Sequence, residues 1–228
     1  MEYRGKELVL FEEAKFWRKY IYARTKKYFK NNILEIGAGI GSFTVHYFQN
    51  FSNITLTELD SYNLSYLKTK FQTNKNIKIK NSFVSDLNEN FNTIIHLNVL
   101  EHIKDDEEEI YNCLKKINKN CYLIILVPAG KNLYCKFDEE IGHHRRYDIS
   151  FFKNLKLNDG SVIELKYLDG LGYLLYYLHK LFFKKKKYPT FFEIFIWDKI
   201  FTPLTIVFDF LTFYKFGKNI LCVIKKIK

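Results

Sequence analysis

Several residue types that mark disordered, secreted or metal-binding chains are scarce in this sequence. Only 3 Pro and 10 Gly occur in 228 residues, while 47% of the chain is hydrophobic, so it can bury a full core and is not disordered. The 4 Cys form no Cys-x-x-Cys pair or other metal-ligand spacing, which favours reduced, buried thiols. The sequence is charged from Glu2 onward, unlike a secretory signal. We therefore expect a cytoplasmic protein.

Long apolar runs are also missing. No run reaches the ~18 residues of a membrane span. The nearest candidate, residues 191–214, is interrupted by Glu193, Asp198, Lys199 and Asp209. A peripheral contact with the inner membrane surface stays open, because the net charge is +11 and the last third of the chain is rich in aromatic residues beside the basic stretch Lys184–Lys187. The alternatives are a Lys-rich compositional bias and a set of helices that pack on the core as a lid.

Strand and helix patterns alternate through the first half of the chain. Short apolar runs predict strands at 32–36, 54–58, 77–80, 93–97 and 122–127. Apolar periodicity predicts a helix at 7–29. Further helices are predicted at 43–48, at 61–71, where Ser61 is a plausible N-cap, and at 105–117, where acids begin and lysines end the segment as the helix dipole prefers. This alternation is typical of βαβ units and a parallel sheet.

The pattern changes after Pro128. We predict a short helix through 155, capped by Asp148 or Ser150, and a sixth strand at 162–168. Two aromatic-rich helices at 171–183 and 191–214 and a last strand at 219–225 follow. The predicted fold class is therefore α/β, with a doubly wound, mostly parallel seven-stranded sheet and an aromatic helical insertion before the last strand. We expect a single domain over 1–228, made of an N-terminal helix, a cofactor-binding core, a helical insertion or lid and the last strand, at 5–30, 31–170, 171–215 and 216–228.

A glycine-rich turn follows the first predicted strand. Glycines at 37, 39 and 41 let the backbone turn sharply and pass close to a ligand. A dinucleotide fingerprint requires Gly-x-Gly-x-x-Gly, but here the third glycine comes one residue early and Ser42 occupies the expected place. The turn therefore favours a ligand without a phosphate, whose amino-acid end lies over the glycines.

Polar residues follow the next three strands as well. Glu58, at the tip of the second strand, can accept hydrogen bonds from two ribose hydroxyls. Asp86 can accept from an adenine amino group while Leu87 packs on the ring, and Asn98 follows the fourth strand. The carboxyl ends of parallel strands are where open α/β sheets bind ligands. An acid at a strand end can also be a plain surface residue, but its coincidence with the glycine turn favours the ribose role.

Together the run LEIGAGIGSFT at 34–44, the acid Glu58, the Ser-Asp pair at 85–86 and the run NVLEHI at 98–103 resemble the class I (Rossmann-like, seven-stranded) SAM-dependent methyltransferases. The resemblance implies S-adenosyl-L-methionine (SAM) as cofactor and S-adenosyl-L-homocysteine (SAH) as product. It places glycines around the methionine moiety, Glu58 at the ribose and Asp86 at adenine. The implied cofactor set is Glu35, Gly37, Ala38, Gly39, Gly41, Glu58, Leu59, Asp86, Leu87, Asn98, Val99 and Leu100.

The resemblance raises a metal question at Glu101 and His102. In some quinone-biosynthesis methyltransferases a Glu-x-x-Glu-His stretch holds a divalent metal. Asn98 replaces the first acid here, and one Glu with one His makes a poor metal site. We therefore predict no metal, and interpret Glu101 and His102 as residues that cap or orient the following helix and the cofactor loop.

A second distinctive stretch, residues 127–147, follows the fifth strand. It resembles a bacterial methyltransferase subgroup with a Gly-His-x-Arg-Arg-Tyr signature, whose members often act on sugar, lipid or cell-surface polysaccharide intermediates. Histidine titrates near neutral pH, so His143 suits the base that removes a hydroxyl proton. Arg145 and Arg146 could bind an acceptor anion, and Tyr134 or Tyr147 could position a hydroxyl. The alternative is that these residues brace the loop, with the arginines paired to Asp138, Glu139 or Glu140.

The main functional hypothesis is O-methylation of a small-molecule glycan, sugar or lipid-linked intermediate, one that could be anionic. A second hypothesis is methylation of a quinone or isoprenoid ring. A nucleic-acid or protein methyltransferase is disfavoured, because the chain carries no appended RNA-binding module and no Asn/Asp-Pro-Pro-Tyr/Phe motif, so we expect no nucleic-acid partner. A non-catalytic SAM-binding protein is disfavoured by the intact glycine turn and acid. The sequence does not determine the oligomeric state.

Overall fold

The computed structural model describes residues 6–182 and 190–228, so the stretch Lys184–Lys187 lies outside the described residues. The described residues form one seven-stranded sheet in the order β3-β2-β1-β4-β5-β7-β6. Strands β1 to β5 pair in parallel, and β7 runs antiparallel to both β5 and β6. This confirms the predicted mostly parallel sheet. The strands are β1 Ile33–Ile36, β2 Ile54–Thr57, β3 Ile77–Lys80, β4 Phe91–Leu97, β5 Ile117–Pro128, β6 Gly160–Leu168 and β7 Asn219–Lys226.

Helices flank the sheet, and the last three of them lie between β6 and β7 in the chain. They confirm the predicted helical insertion, in which a π-helical turn at Trp197–Phe201 joins the final two helices. None of the helices described at 6–182 and 190–228 is both long and apolar enough to cross a membrane. The helices are α1 Lys6–Phe11, α2 Lys15–Thr25, α3 Ser61–Lys70, α4 Asp106–Lys115, α5 Lys136–Glu140, α6 Ile149–Asn154, α7 Gly170–Phe182, α8 Phe191–Ile196 and α9 Thr202–Leu211.

The core lies on both faces of the sheet. Successive strand side chains point to opposite faces, and so neighbours such as Ile94 and Ile95 of β4 belong to different apolar clusters. One cluster contains Ile110 of α4, and the other contains Ile21 of α2 and Leu67 of α3. Burial on both faces is the arrangement of a doubly wound fold.

The prediction of a single N-terminal helix at 7–29 is wrong. The segment is divided into α1 and α2, and a 3₁₀ turn at Lys26–Tyr28 replaces its last turn. The start of α2 is capped from far along the chain, because the Asp198 carboxylate accepts the backbone N–H groups of Phe16 (3.1 Å) and Trp17 (2.8 Å). A carboxylate at this point binds otherwise unpaired N–H groups and interacts favourably with the helix dipole.

The α-helix predicted at 43–48 is also wrong. Single 3₁₀ turns occupy Thr44–His46 and Phe48–Asn50, and Tyr47 between them is not helical, with φ −134°. The Tyr47 hydroxyl donates to the buried carboxylate of Glu35. At the start of α3 the N-cap is Asp60, not Ser61, and its side chain accepts the Asn63 N–H at 2.9 Å.

Candidate cofactor and acceptor site

The carboxyl ends of β1, β2 and β4 meet at one edge of the sheet. Ile36, the last residue of β1, is in register with Thr57 of β2 and with His96 of β4. The next residues along these strands therefore begin the glycine turn, the Glu58 loop and the segment that contains Asn98. The strand register thus brings together three of the predicted cofactor-binding segments.

The glycine turn has the backbone conformation that its sequence predicts. Gly37, Gly39 and Gly41 all have positive φ, at 60°, 56° and 72°. A Cβ atom on Gly37 would lie 2.6 Å from Cγ2 of Val99, and one on Gly39 would lie 3.2 Å from Cδ1 of Leu8. Only glycine satisfies both the left-handed conformation and the close approach at position 37.

Glu58 is tied to the glycine turn. Its Oε2 accepts the N–H of Gly39 at 2.7 Å, and its Oε1 accepts the N–H groups of Leu59 and Asp60, both at 2.9 Å. A carboxylate offers about four acceptor positions, which leaves room for a ribose hydroxyl on the half-buried side chain. The residues at this edge therefore fit a nucleoside whose ribose lies beside the glycine turn.

The predicted adenine residues have unequal surroundings. Asp86 is exposed, and the Ser85 hydroxyl donates to it at 3.1 Å. Leu87 is buried in the apolar core. Leu59 and Phe83 are each at least half exposed on the loops that follow β2 and β3. These two side chains are better placed than Leu87 to cover an aromatic ring, and sequence reasoning missed Phe83.

The segment after β4 lies against the glycine turn. Asn98 is exposed and has φ 54°, a conformation that asparagine tolerates better than most residues. Val99 approaches Gly37, and Leu100 is fully buried. The structure therefore places Asn98 and Val99 at the turn, with Leu100 in the core beneath them.

His143 lies in a narrow gap between two buried carboxylates. Its Nδ1 is 3.0 Å from Oδ1 of Asp138, and its Nε2 is 3.6 Å from Oε1 of Glu101. Its side chain is only 9% exposed, and both acids are fully buried. Oε2 of Glu101 has no hydrogen-bond partner within the described residues. Burial raises the pKa of the Glu101 carboxyl.

Asp138 connects His143 to Arg146. The same Oδ1 atom accepts a hydrogen bond from Nε of Arg146 at 2.9 Å, and Oδ2 accepts the N–H of Cys135. Arg146 is buried, and its Cζ lies over the ring of Tyr176, 4.9 Å from the ring centroid. Its Nη2 donates to the Tyr176 hydroxyl. This geometry favours the loop-bracing alternative for Arg146, and a direct contact with the acceptor stays a prediction.

Arg145 and Tyr147 converge on Asp106 at the start of α4. Oδ2 of Asp106 accepts from Nη1 of Arg145 at 2.7 Å and from the Tyr147 hydroxyl at 2.9 Å. Tyr147 is buried, and burial together with Asp106 raises the pKa of its hydroxyl. Arg145 keeps 38% of its side chain exposed and also donates to the Lys104 carbonyl. Arg145 is therefore the more accessible of the two arginines.

The sequence matches a known protein family. The sequence model of the family described as "Methyltransferase domain" matches residues 11–164, about two-thirds of the chain. The chain belongs to the methyltransferase domain family. It is a SAM-dependent methyltransferase, and its cofactor is SAM. No curated protein matches the sequence.

Solved structures show the same fold at low identity. The methyltransferase is similar to an S-adenosylmethionine-dependent methyltransferase from Clostridium acetobutylicum, with 15% identity, TM-score 0.59, and 95% of this chain and 93% of that chain covered. It is similar to coclaurine N-methyltransferase bound to N-methylheliamine and SAH, with 16% identity and TM-score 0.61, and the match covers 92% of this chain and 72% of that chain. It is also similar to the putative methyltransferase in complex with the Haloferax volcanii Trm112 activator, with 10% identity and TM-score 0.68, and the match covers 100% of this chain and 98% of that chain.

Two acids of the site, Asp138 and Glu101, were predicted only as bracing or capping residues and not as partners of His143. Asp138 holds His143 and Arg146, and Glu101 faces His143 across the loop. The structure also brings His143 beside Glu101 and His102, with one potential ligand atom from each lying within 4.8 Å of the others. The prediction that the methyltransferase uses no metal considered only Glu101 and His102, and it stays a prediction that chelation can test.

Glu35 lies under the glycine turn as a buried acid. Hydroxyls of Thr44 (2.7 Å) and Tyr47 (2.6 Å) donate to its Oε2. Burial raises the pKa of Glu35 to about 7, and the two hydroxyl donors and Arg18 lower it by less. Glu35 is therefore partly protonated near neutral pH in the folded protein.

The raised pKa of Glu35 predicts a pH-dependent stability. A carboxyl whose pKa is higher in the folded chain stabilises the fold fully below its unfolded pKa, and this contribution is lost as pH rises from about 4.5 to about 7. Glu35→Gln stays neutral and has no such dependence. We expect the free energy of unfolding of the wild type to fall relative to Glu35→Gln by up to about 3 kcal/mol between about pH 5 and about pH 8. Urea titrations at both pH values measure this, and a constant difference between the two proteins would refute it.

Proposed function

We propose that the methyltransferase transfers a methyl group from SAM to a hydroxyl of a glycan, sugar or lipid-linked intermediate, with His143 as the base. The observation that carries the proposal is the placement of His143 between Asp138 and Glu101 on the loop that follows β5. The resemblance of this loop to the Gly-His-x-Arg-Arg-Tyr subgroup supports the acceptor class.

The cofactor supplies an electrophilic methyl group on a sulfonium sulfur. When SAM is bound, the glycine turn, Glu58 and Asp86 would hold it at the edge of the sheet, beside Asn98 and Val99. Asp138 accepts the Nδ1–H of His143, which leaves Nε2 as the basic atom. Nε2 of His143 would take the proton of the acceptor hydroxyl as that oxygen receives the methyl group supplied by bound SAM, which would leave as SAH. Alignment of the oxygen with the methyl group is the larger part of catalysis in such a displacement.

Tyr134, Arg145 and Tyr147 have supporting parts in this proposal. The Tyr134 hydroxyl donates to the His143 carbonyl at 2.7 Å and so fixes the backbone that carries the base. Tyr147 and Asp106 hold Arg145 at the margin of the loop, where its exposed portion can meet a phosphate or carboxylate of the acceptor. Arg146 positions Asp138 from the buried side.

A transfer assay tests this function. The enzyme is incubated with methyl-labelled SAM and, separately, a lipid-linked glycan fraction, soluble sugar nucleotides and a quinone mixture. We expect label in an alkali-stable ether of the glycan-containing fractions. Label in the quinone mixture alone would overturn the proposal and favour methylation of a quinone ring.

Chelation separates a base from a metal at the same cluster. If His143 acts as the base, EDTA leaves turnover unchanged, because no step needs a Lewis acid. Loss of turnover in EDTA that a divalent cation restores would assign Glu101, His102 and His143 to metal binding instead. The zinc, magnesium and manganese contents of the purified enzyme, measured by mass spectrometry, provide a second readout.

A further inference from the structure

The helical segment from α8 through α9 is amphipathic in the inverted sense. The side chains that it buries are Ile194, Asp198, Thr202, Thr205 and Asp209, which recur at helical spacing, and four of the five are polar. A surface helix of a soluble domain buries its apolar face and exposes its polar one. This segment does the reverse.

The outward face of the segment is apolar. Ile200, Leu204, Val207 and Leu211 recur at steps of four, three and four residues and are each more than half exposed. Phe210 beside them is more exposed still. A row of large apolar side chains on one helix face goes beyond the scattered exposed residues that are normal on soluble proteins. We call these five residues the α9 apolar face.

The fold itself explains why the polar side points inward. Asp198 caps α2 through the N–H groups of Phe16 and Trp17. Asp209 caps α7 by accepting the N–H groups of Asp169 (2.9 Å) and Gly170 (2.8 Å). These carboxylates must face the core to reach the helix ends, so the apolar residues on the same helix must face outward.

Charge around the α9 apolar face favours an anionic partner. The acids of residues 190–228 are all engaged within the protein, because Asp198 and Asp209 are fully buried and Glu193 forms a capping box with Thr190. Lys215 is exposed after α9, and the whole chain carries +11. A second copy with the same charge is repelled, whereas an anionic surface is attracted.

We propose that the α9 apolar face inserts into the headgroup region of an anionic lipid bilayer, with the helix lying parallel to the membrane plane. An apolar stripe beside an exposed lysine, with its nearby carboxylates buried or held in a helix cap, fits the pattern of interfacial helices that bind membranes without crossing them. The proposal names the surface by which the enzyme would reach a lipid-linked acceptor and in that sense rests on the proposed function, although the binding itself needs neither cofactor nor acceptor.

Vesicle co-sedimentation of the full chain tests the proposal. With vesicles of equal parts phosphatidylcholine and phosphatidylglycerol, we expect the wild type in the pellet, and less of it with phosphatidylcholine alone. Val207→Asp/Leu211→Asp replaces two outward side chains that are not in the core, and we expect it to lower the partition coefficient by at least about tenfold. Circular dichroism confirms that the variant is folded.

A matched control carries the same added charge elsewhere. Tyr62→Asp/Ile163→Asp changes two exposed apolar residues on α3 and β6, and we expect it to bind vesicles as the wild type does. Equal loss in both double variants, or a wild type that stays in the supernatant, would overturn the proposal. So would a dimer in sedimentation velocity that Val207→Asp/Leu211→Asp dissociates, since the face would then hold a second copy. Methyl transfer to a detergent-solubilised acceptor, measured separately, shows whether the proposed function stands without membrane binding.

Discussion

Replacing His143 by glutamine is expected to lower kcat by about 10²- to 10⁴-fold, the usual contribution of a positioned base. Glutamine can still donate an N–H to Asp138, so the loop keeps its hydrogen bond, but no atom of the amide can take the hydroxyl proton. The KM for SAM should stay near the wild-type value, because the glycine turn and Glu58 are untouched. Steady-state kinetics with the acceptor identified in the transfer assay give both values.

The neighbouring histidine provides the control for this prediction. His144 is exposed, and its backbone N–H donates to the Glu101 carbonyl at 2.8 Å, so a change of its side chain leaves that contact in place. His144→Gln should therefore keep wild-type turnover. Full activity in His143→Gln would show that His143 is not the base. A similar fall in both variants, with a lower melting temperature, would show that the loop and not the base had been damaged.

Replacing Glu58 by alanine is expected to raise the Kd for SAH by about 10- to 100-fold. Its carboxylate holds the N–H groups of Gly39, Leu59 and Asp60 and, in our account, one ribose hydroxyl. A hydrogen bond to a charged group contributes about 1.5–3 kcal/mol, and each 1.4 kcal/mol changes an equilibrium constant about tenfold. Calorimetric titration with SAH measures the change directly.

The control for Glu58 is another acid near the same edge of the sheet. Glu89 is exposed and pairs with Lys80 at 2.7 Å. Glu89→Ala should bind SAH as the wild type does. If Glu58→Ala binds SAH within about twofold of the wild type, the ribose assignment is wrong. Glu58→Gln keeps one acceptor oxygen, so its Kd for SAH should lie between those of the wild type and Glu58→Ala. This variant separates the effect of the lost charge from collapse of the turn.

The central strands and the glycine turn could be predicted from the sequence because their signals are local. The predicted strands at 32–36, 54–58 and 77–80 differ from β1, β2 and β3 by at most one residue at an end. Parallel strands place their carboxyl ends at one edge, so Glu58 and Asn98 could be assigned to the glycine turn without coordinates.

Features that depend on distant partners could not be predicted. The helix α2 begins where Asp198 caps it, and Asp198 lies 181 positions after Trp17 in the chain. The strand–helix alternation predicted a helix at 43–48, but hydrogen bonds from Thr44 and Tyr47 to the buried Glu35 accompany separate 3₁₀ turns there.

The same limit applies to the acceptor loop and the insertion. A histidine in a polar loop suggests a base, yet only the fold places Glu101 and Asp138 on either side of His143. The aromatic-rich segment at 191–214 was predicted to be helical, but the usual rule would have buried the apolar side of that helix. Caps on α2 and α7 reverse that choice through Asp198 and Asp209.

Calorimetric titration of the wild-type chain with SAH tests the central claim most directly. The account predicts saturable binding of one SAH per chain by folded protein, with the affinity weakened in Glu58→Ala and retained in Glu89→Ala. Folded wild-type protein that releases or absorbs no heat with SAH, and whose melting temperature SAH does not raise, would contradict the assignment of the glycine turn and Glu58 to the cofactor.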